Sequence, residues 1–181
     1  MKITNYLFLS LFVLGLVSCS SDDDGSPDGG NSGNGNPQEA SIVGSWNADN
    51  FIMNGIFAGD ELTITFNGVA DTMTGNDITF YQDNTTTGNS APFMMDLTTI
   101  INGVPSTTEQ EMNTPMATEG TWSREGNKLY LVENSMGQTQ EFTIETLTET
   151  TLVITGDHNS VTIEDGFPPN TEFDIKLTYK R

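Results

Sequence analysis

Three residue types in this chain could carry chemistry: a single cysteine, Cys19, a single histidine, His158, and the carboxylates, with 25 Asp and Glu against 6 Lys and Arg. A His-relayed nucleophile needs base, nucleophile and orienting acid converging from separate elements. His158 instead lies within Gly156-Asp157-His158-Asn159-Ser160, and neighbours on one turn cannot adopt that geometry, so an exposed turn histidine is expected. Acid–base work by paired carboxyls needs one of them lifted in an apolar pocket. The available pairs, Glu109/Glu111 and Glu164-Asp165, lie in polar segments. Asp71 and Asp77 flank a Gly75-Asn76 turn, fewer ligands than the spaced set of a calcium loop. One cysteine excludes an internal disulfide, a zinc ribbon and a CxxC redox pair, and no glycine-rich phosphate loop precedes a helix. A net charge of −19 with pI near 4.1 leaves no basic stripe for a polyanion. The expectation is a protein that is not an enzyme, with no cofactor, no metal site and no nucleic-acid partner.

Cys19 has a different setting. Lys2 supplies a positive start, and Leu7 to Val17 is an apolar run broken only by Ser10 and Gly15. As a helix that run covers about 16 Å, roughly half of a ~30 Å hydrocarbon core, so residues 1–18 read as a secretory signal and not a membrane span. The sequence Leu16-Val17-Ser18-Cys19 resembles the bacterial lipobox. That resemblance implies cleavage before Cys19 and its acylation by chains such as palmitate. One acyl chain holds a protein only marginally, whereas two or three anchor it stably. The membrane, through the lipid on Cys19, is thus an expected partner. Processing would remove one lysine and no acid, giving −20.

Residues 20–40 contain no large apolar side chain and cannot repay the entropy of ordering, so residues 19–40 read as a disordered tether with a reach of roughly 25 Å. Asp22-Asp23-Asp24 reads either as solvated linker charge or, by resemblance, as the acidic signal that exports some outer-membrane lipoproteins. The expected location is the outer membrane, on the cell surface in preference to the periplasmic side.

What must position any site is the segment 41–181. Leu62-Thr63-Ile64-Thr65-Phe66, Ile78-Thr79-Phe80-Tyr81, Leu129 to Val132, Phe142-Thr143-Ile144, Leu152-Val153-Ile154 and Phe173 to Tyr179 are short runs, most with a period of two, the mark of half-buried antiparallel strands. Turn chemistry separates them at Asn67-Gly68, Gly75-Asn76, Gly126-Asn127 and Asp165-Gly166. Eight or nine strands are predicted, hence an all-β barrel or sandwich. The best helix candidate, Ser106 to Met112, opens with a capping-box pattern, Ser106-x-x-Glu109, but is bracketed by Pro105 and Pro115; a polar loop is the expectation there.

Two tryptophan motifs, Gly44-Ser45-Trp46 and Gly120-Thr121-Trp122, and a basic ending, Leu177-Thr178-Tyr179-Lys180-Arg181, occur in an order that resembles the lipocalin-like domains of bacterial outer-membrane lipoproteins. The resemblance covers about residues 42–181 and implies an antiparallel up-and-down β-barrel of about eight strands. It implies that Trp46 plugs one end with Lys180 or Arg181 as the cation over its ring, and that Trp122 belongs to the same structural set. The T-D-Y motif of better-known lipocalins is missing, as is a cysteine pair.

Seven methionines fall in the domain; they read as core filler or as lining of an apolar cavity. An eight-stranded barrel holds packed side chains or one small ligand. In the second case Ile64, Phe66, Phe80, Phe93, Met95 and Leu131 are the candidate lining of a cup for a small apolar ligand bound without covalent chemistry. The alternative is a structural or interaction lipoprotein with a filled barrel contacting envelope proteins or glycans. A monomer is expected. Thirteen aromatics follow residue 18 (eight Phe, three Tyr, two Trp), and how many point inward decides between the two readings.

Overall fold

The structure is a computed structural model that describes residues 40–59, 62–114, 116, 119–134, 137–161 and 170–181. The signal segment, Cys19, the acidic run and the tether, the Glu164-Asp165 pair with its Asp165-Gly166 turn, and Met136 lie outside the described residues.

Eleven strands are described: β1 (Gly44–Ala58), β2 (Thr63–Ala70), β3 (Asp77–Phe80), β4 (Thr85–Asn89), β5 (Phe93–Ile101), β6 (Val104–Met112), β7 (Gly120–Glu125), β8 (Lys128–Glu133), β9 (Thr139–Leu147), β10 (Thr151–Asp157) and β11 (Thr171–Lys180). All pairings are antiparallel. Eight of them, in the order β1-β3-β4-β7-β8-β9-β10-β11, close into a barrel because β11 pairs back onto β1. The fold is therefore the expected all-β up-and-down barrel, enlarged by a three-stranded wing.

The wing exists because β1 is twice the usual strand length. Its first residues, Gly44–Asn47, pair with β3, while Phe51–Ala58 pair with β2 on the same edge; β11 occupies the other edge from Asn47 to Phe57. From β2 the sheet continues through β5 to β6 and ends there.

Burial follows a period of two, with two interruptions that the sequence pattern does not announce. In β1, Trp46 is buried on even parity but Phe51 and Met53 on odd parity; the register shifts between Ala48 and Asn50, so Asp49 is an inserted residue that turns the chain over. In β9, Gln140, Phe142 and Ile144 face inward, and the shift opposite Val153/Ile154 brings Leu147 to the same face. Each bulge preserves an inward apolar face along a strand that would otherwise lose it.

Two expectations are corrected here. Ser106 to Met112 is neither helix nor loop: it is the outer strand β6, paired residue by residue with β5 from Val104↔Ile101 to Met112↔Phe93. Pro105 is tolerated because an edge strand has one side without a ladder to supply, and the turn is the two-residue Asn102-Gly103, both at positive φ (51° and 79°). Asn67-Gly68 is not a turn but the middle of β2. A Cβ at Gly68 would run into the sulfur of Met95, so this glycine makes room for a core side chain on the neighbouring strand.

The glycine of Gly120-Thr121-Trp122 has a similar cause. A Cβ there would collide with the carbonyl oxygen of Val132, its neighbour's backbone on β8. Gly120→Ala is expected to force β7 from β8 and lower stability by about 1–3 kcal/mol, read as a fall in thermal midpoint; an unchanged midpoint would refute that close approach.

Candidate functional site

One end of the barrel is organised around Trp46. The indole is fully buried and its Nε1–H donates to the Ile42 carbonyl at 2.7 Å. Arg181 lies over the ring, its Cζ 4.0 Å from the centroid, an attractive cation–π geometry. The same guanidinium donates to the carbonyls of Val43 and Ser41, each at 3.0 Å, and to that of Glu149. One side chain therefore satisfies three backbone acceptors from the approach to β1 and from the β9–β10 turn, while covering the tryptophan. Gly44 makes this possible: at φ +130° it takes a conformation that favours glycine, and a Cβ there would lie 2.7 Å from Arg181 Nη1. Of the two basic residues at the end of the chain, Arg181 is over Trp46, and Lys180 reaches outward to Thr151 Oγ1 at 3.2 Å. Trp122 is half-buried, edge-on to Phe80 with centroids 5.5 Å apart, and its indole N–H donates to the Tyr81 carbonyl.

The six candidate lining residues fall into two groups. Phe80 and Leu131 are on barrel strands β3 and β8; Ile64, Phe66, Phe93 and Met95 are on wing strands β2 and β5. Five are buried and Ile64 is half-buried. Phe66 and Met95 are closed over by packing on glycine backbone, and Phe93 meets Phe51 edge-on at 5.5 Å. All five buried residues belong to one continuous core with Phe51, Met53, Phe142, Leu152, Ile154 and Leu177. Eight of the twelve described aromatics are buried: Trp46, Phe51, Phe66, Phe80, Phe93, Phe142, Phe173 and Tyr179.

Met116, between β6 and β7, joins the core, and nothing in its sequence setting distinguishes it from the other methionines. It is buried, and its sulfur accepts the Tyr179 hydroxyl at 2.8 Å. Tyr179 is buried inside the barrel on β11, and that burial pushes its phenol well above the ordinary range, which keeps the proton it donates to Met116.

The described depressions lie on the outside. One of about 500 Å³ borders Val43, Gly44, Phe80 and Tyr81. A second of about 420 Å³ lies on the wing beside Pro92, Phe93 and Met94 with Asp71, Asp96 and Glu109. A third of about 450 Å³ crosses the outer face of β8–β11 and contains Lys128 and Lys176. Among the described residues no group of three or more His, Cys, Asp or Glu is placed to hold a metal ion. Asp71 accepts from Asn50 and Asp77 from Asn89. His158 is exposed on its turn, with its ring 6.2 Å from Phe173; the turn is held instead by Asp157 Oδ1, which accepts from Ser160 Oγ at 2.7 Å and from the Asn159 and Ser160 amides at 3.0 Å.

Three outcomes follow. Trp46→Ala should cost about 3–5 kcal/mol as a large core truncation, and a melting curve matching the parent protein would disprove its burial. Arg181→Ala should cost about 1–3 kcal/mol from the lost stacking and charged hydrogen bonds, with Arg181→Lys restoring only part, because an ammonium cannot serve three carbonyls and a ring face together. The hydrogen bonds to Asp157, foremost that from Ser160, hold its carboxyl below the usual carboxylate range. A depressed folded pKa means this stabilisation is present at neutral pH and is lost as pH falls through the folded value. Amide-exchange protection at Ser160 and Val161 should therefore fall at strongly acid pH in the parent protein, and be low at all pH values in Asp157→Ala.

No protein-family model matches the chain, and no curated protein sequence matches it. Among solved structures the chain is similar to a polyisoprenoid-binding domain from Saccharophagus degradans implicated in plant cell wall breakdown, with 10% identity over 75% of this chain and 97% of that one and a TM-score of 0.21.

Proposed function

We propose that this is a lipid-anchored, non-enzymatic lipoprotein of the outer membrane, exposed at the cell surface, that works by binding, with the lipocalin-like barrel as a packed scaffold and the contacts made on its outer surface. The observation that carries this reading is the state of the interior: Trp46, Phe51, Phe80, Leu129, Leu131, Phe142, Leu152 and Ile154 are each at most 1% exposed and share one core. Side chains in such a core interdigitate at near-crystal density, and an apolar guest would have to displace them. The lipobox-like Leu16-Val17-Ser18-Cys19 supports the anchor, and two acyl chains on Cys19 would hold the domain stably.

A second reading keeps the small apolar ligand. It is favoured by the depression of about 500 Å³ beside Phe80 and Tyr81, within the roughly 300–1,000 Å³ of small-molecule sites. There a ligand would rest on the rim of the barrel rather than inside it.

Native mass spectrometry of the full chain, extracted from its own cells in mild detergent, separates the two. The scaffold reading expects the protein mass plus acyl chains and no small apolar companion; a reproducible additional non-covalent mass identified as a small apolar molecule would overturn it in favour of the ligand. The anchor has its own test: Cys19→Ala should move the protein out of the membrane fraction, and persistence there would refute lipidation as the attachment.

A further inference from the structure

The outer face of β8, β9, β10 and β11 carries two of the few cations in this acidic chain, Lys128 and Lys176, on either side of one groove of about 450 Å³. Each is paired across strands: Lys128 Nζ lies 2.7 Å from Glu141, and Lys176 Nζ 2.6 Å from Glu145. Lys128 also donates to Thr143 Oγ1 at 3.1 Å. Glu145 is the residue inserted by the β9 bulge, and this insertion is what lets it reach past β10 to Lys176 on β11.

The far wall is acidic and internally unbalanced. Asp157 and Asp174 are directly opposite on β10 and β11, and like charges in that position repel. Asp157 spends one oxygen on its own turn. Asn54, opposite Asp174 on β1, has its amide oxygen taken by Asn67 at 2.6 Å, so it offers the groove a donor. The groove thus presents carboxylate acceptors and ammonium or amide donors within one small space, over threonines of β9 and β10.

We propose that this groove is a binding site for a neutral oligosaccharide. A groove of ligand-site volume with an apolar lining would select an apolar guest; this one mixes charged and hydroxyl side chains with the apolar surface of Gly156 and Ile175, as the polar edges and apolar faces of a sugar ring require. A nucleic acid or other polyanion is disfavoured because the four carboxylates outnumber the two lysines. Each sugar hydroxyl can both donate and accept, so a sugar can donate to Asp157 and Asp174 while accepting from Lys128 and Lys176. Hydrogen bonds to charged partners are the stronger kind, and because both ion pairs are about 40% exposed the site stays wet and the affinity modest.

The inference rests on the outer-surface reading and assigns it a place and a ligand class. The test is amide-shift titration of the full chain in mild detergent with maltotriose, cellotriose and tri-N-acetylchitotriose in turn, each to about 20 mM, above a millimolar dissociation constant. Shifts are expected at Thr143, Thr155 and Gly156 with at least one of the three. Lys176→Met and Glu141→Gln should each weaken that binding about three- to tenfold, while Lys180→Met, outside the groove, leaves it unchanged. Exposed ion pairs contribute little to stability, so both groove variants are expected to fold, and a parent-like amide spectrum verifies it. No shift with any of the three sugars, or shifts indifferent to Lys176→Met, would overturn the groove and leave the packed scaffold standing. Shifts centred on Phe80 and Leu131 would overturn the groove and the packed scaffold together.

Discussion

The pairing of β1 with β11 is the constraint on which everything else depends. It joins the first strand to the last over registers running from Asn47↔Lys180 to Phe57↔Thr171, and without it the eight strands would form an open sheet with two long edges. Closure by non-local pairing carries a large loop-closure cost, and at one end the chain adds an interaction of its own. Arg181 reaches from the last position of the sequence to the carbonyls of Ser41 and Val43 and covers the ring of Trp46. Backbone pairing sets the register, and that guanidinium seals the end of the seam.

From this seam the rest of the packing follows. The Asp49 bulge lets β1 serve the barrel with Trp46 and the wing with Phe51 and Met53, all facing one continuous core. Barrel and wing are therefore a single hydrophobic unit, and the candidate lining residues Phe66, Phe93 and Met95 became core because the wing buries them against β1. Interior volume went to side chains of that one core.

Much of the barrel was legible in the sequence because its strands are half-buried and alternate cleanly; Phe173, Ile175, Leu177 and Tyr179 mark β11 without ambiguity. The tryptophan motifs were legible for the same reason, since Gly44 and Gly120 sit where a Cβ would strike Arg181 or Val132. The wing was not. β6 buries none of its residues, so it has no apolar face to create a period, and its Ser, Thr, Glu and Gln residues read as helix cap or loop. The bulges were equally silent, because an inserted residue shows itself only in the register of the partner strand. The outer groove was hidden for a further reason: Lys128, Glu141, Glu145 and Lys176 are spread over three strands, and only their pairing brings them together.

The edge formed by β6 bears on how this chain meets other copies of itself. The outer side of a nine-residue strand, whose other side is paired with β5, is a template on which another chain could polymerise. β6 begins with Val104 at 67% exposure, next to Pro105, and carries Glu109 and Glu111 further along. An imino acid cannot donate to an incoming strand, and two carboxylates in a strand of nine make stacking of identical copies repulsive at each repeat. The segment whose composition concealed it as a strand is, by that same composition, a strand that resists becoming a fibril.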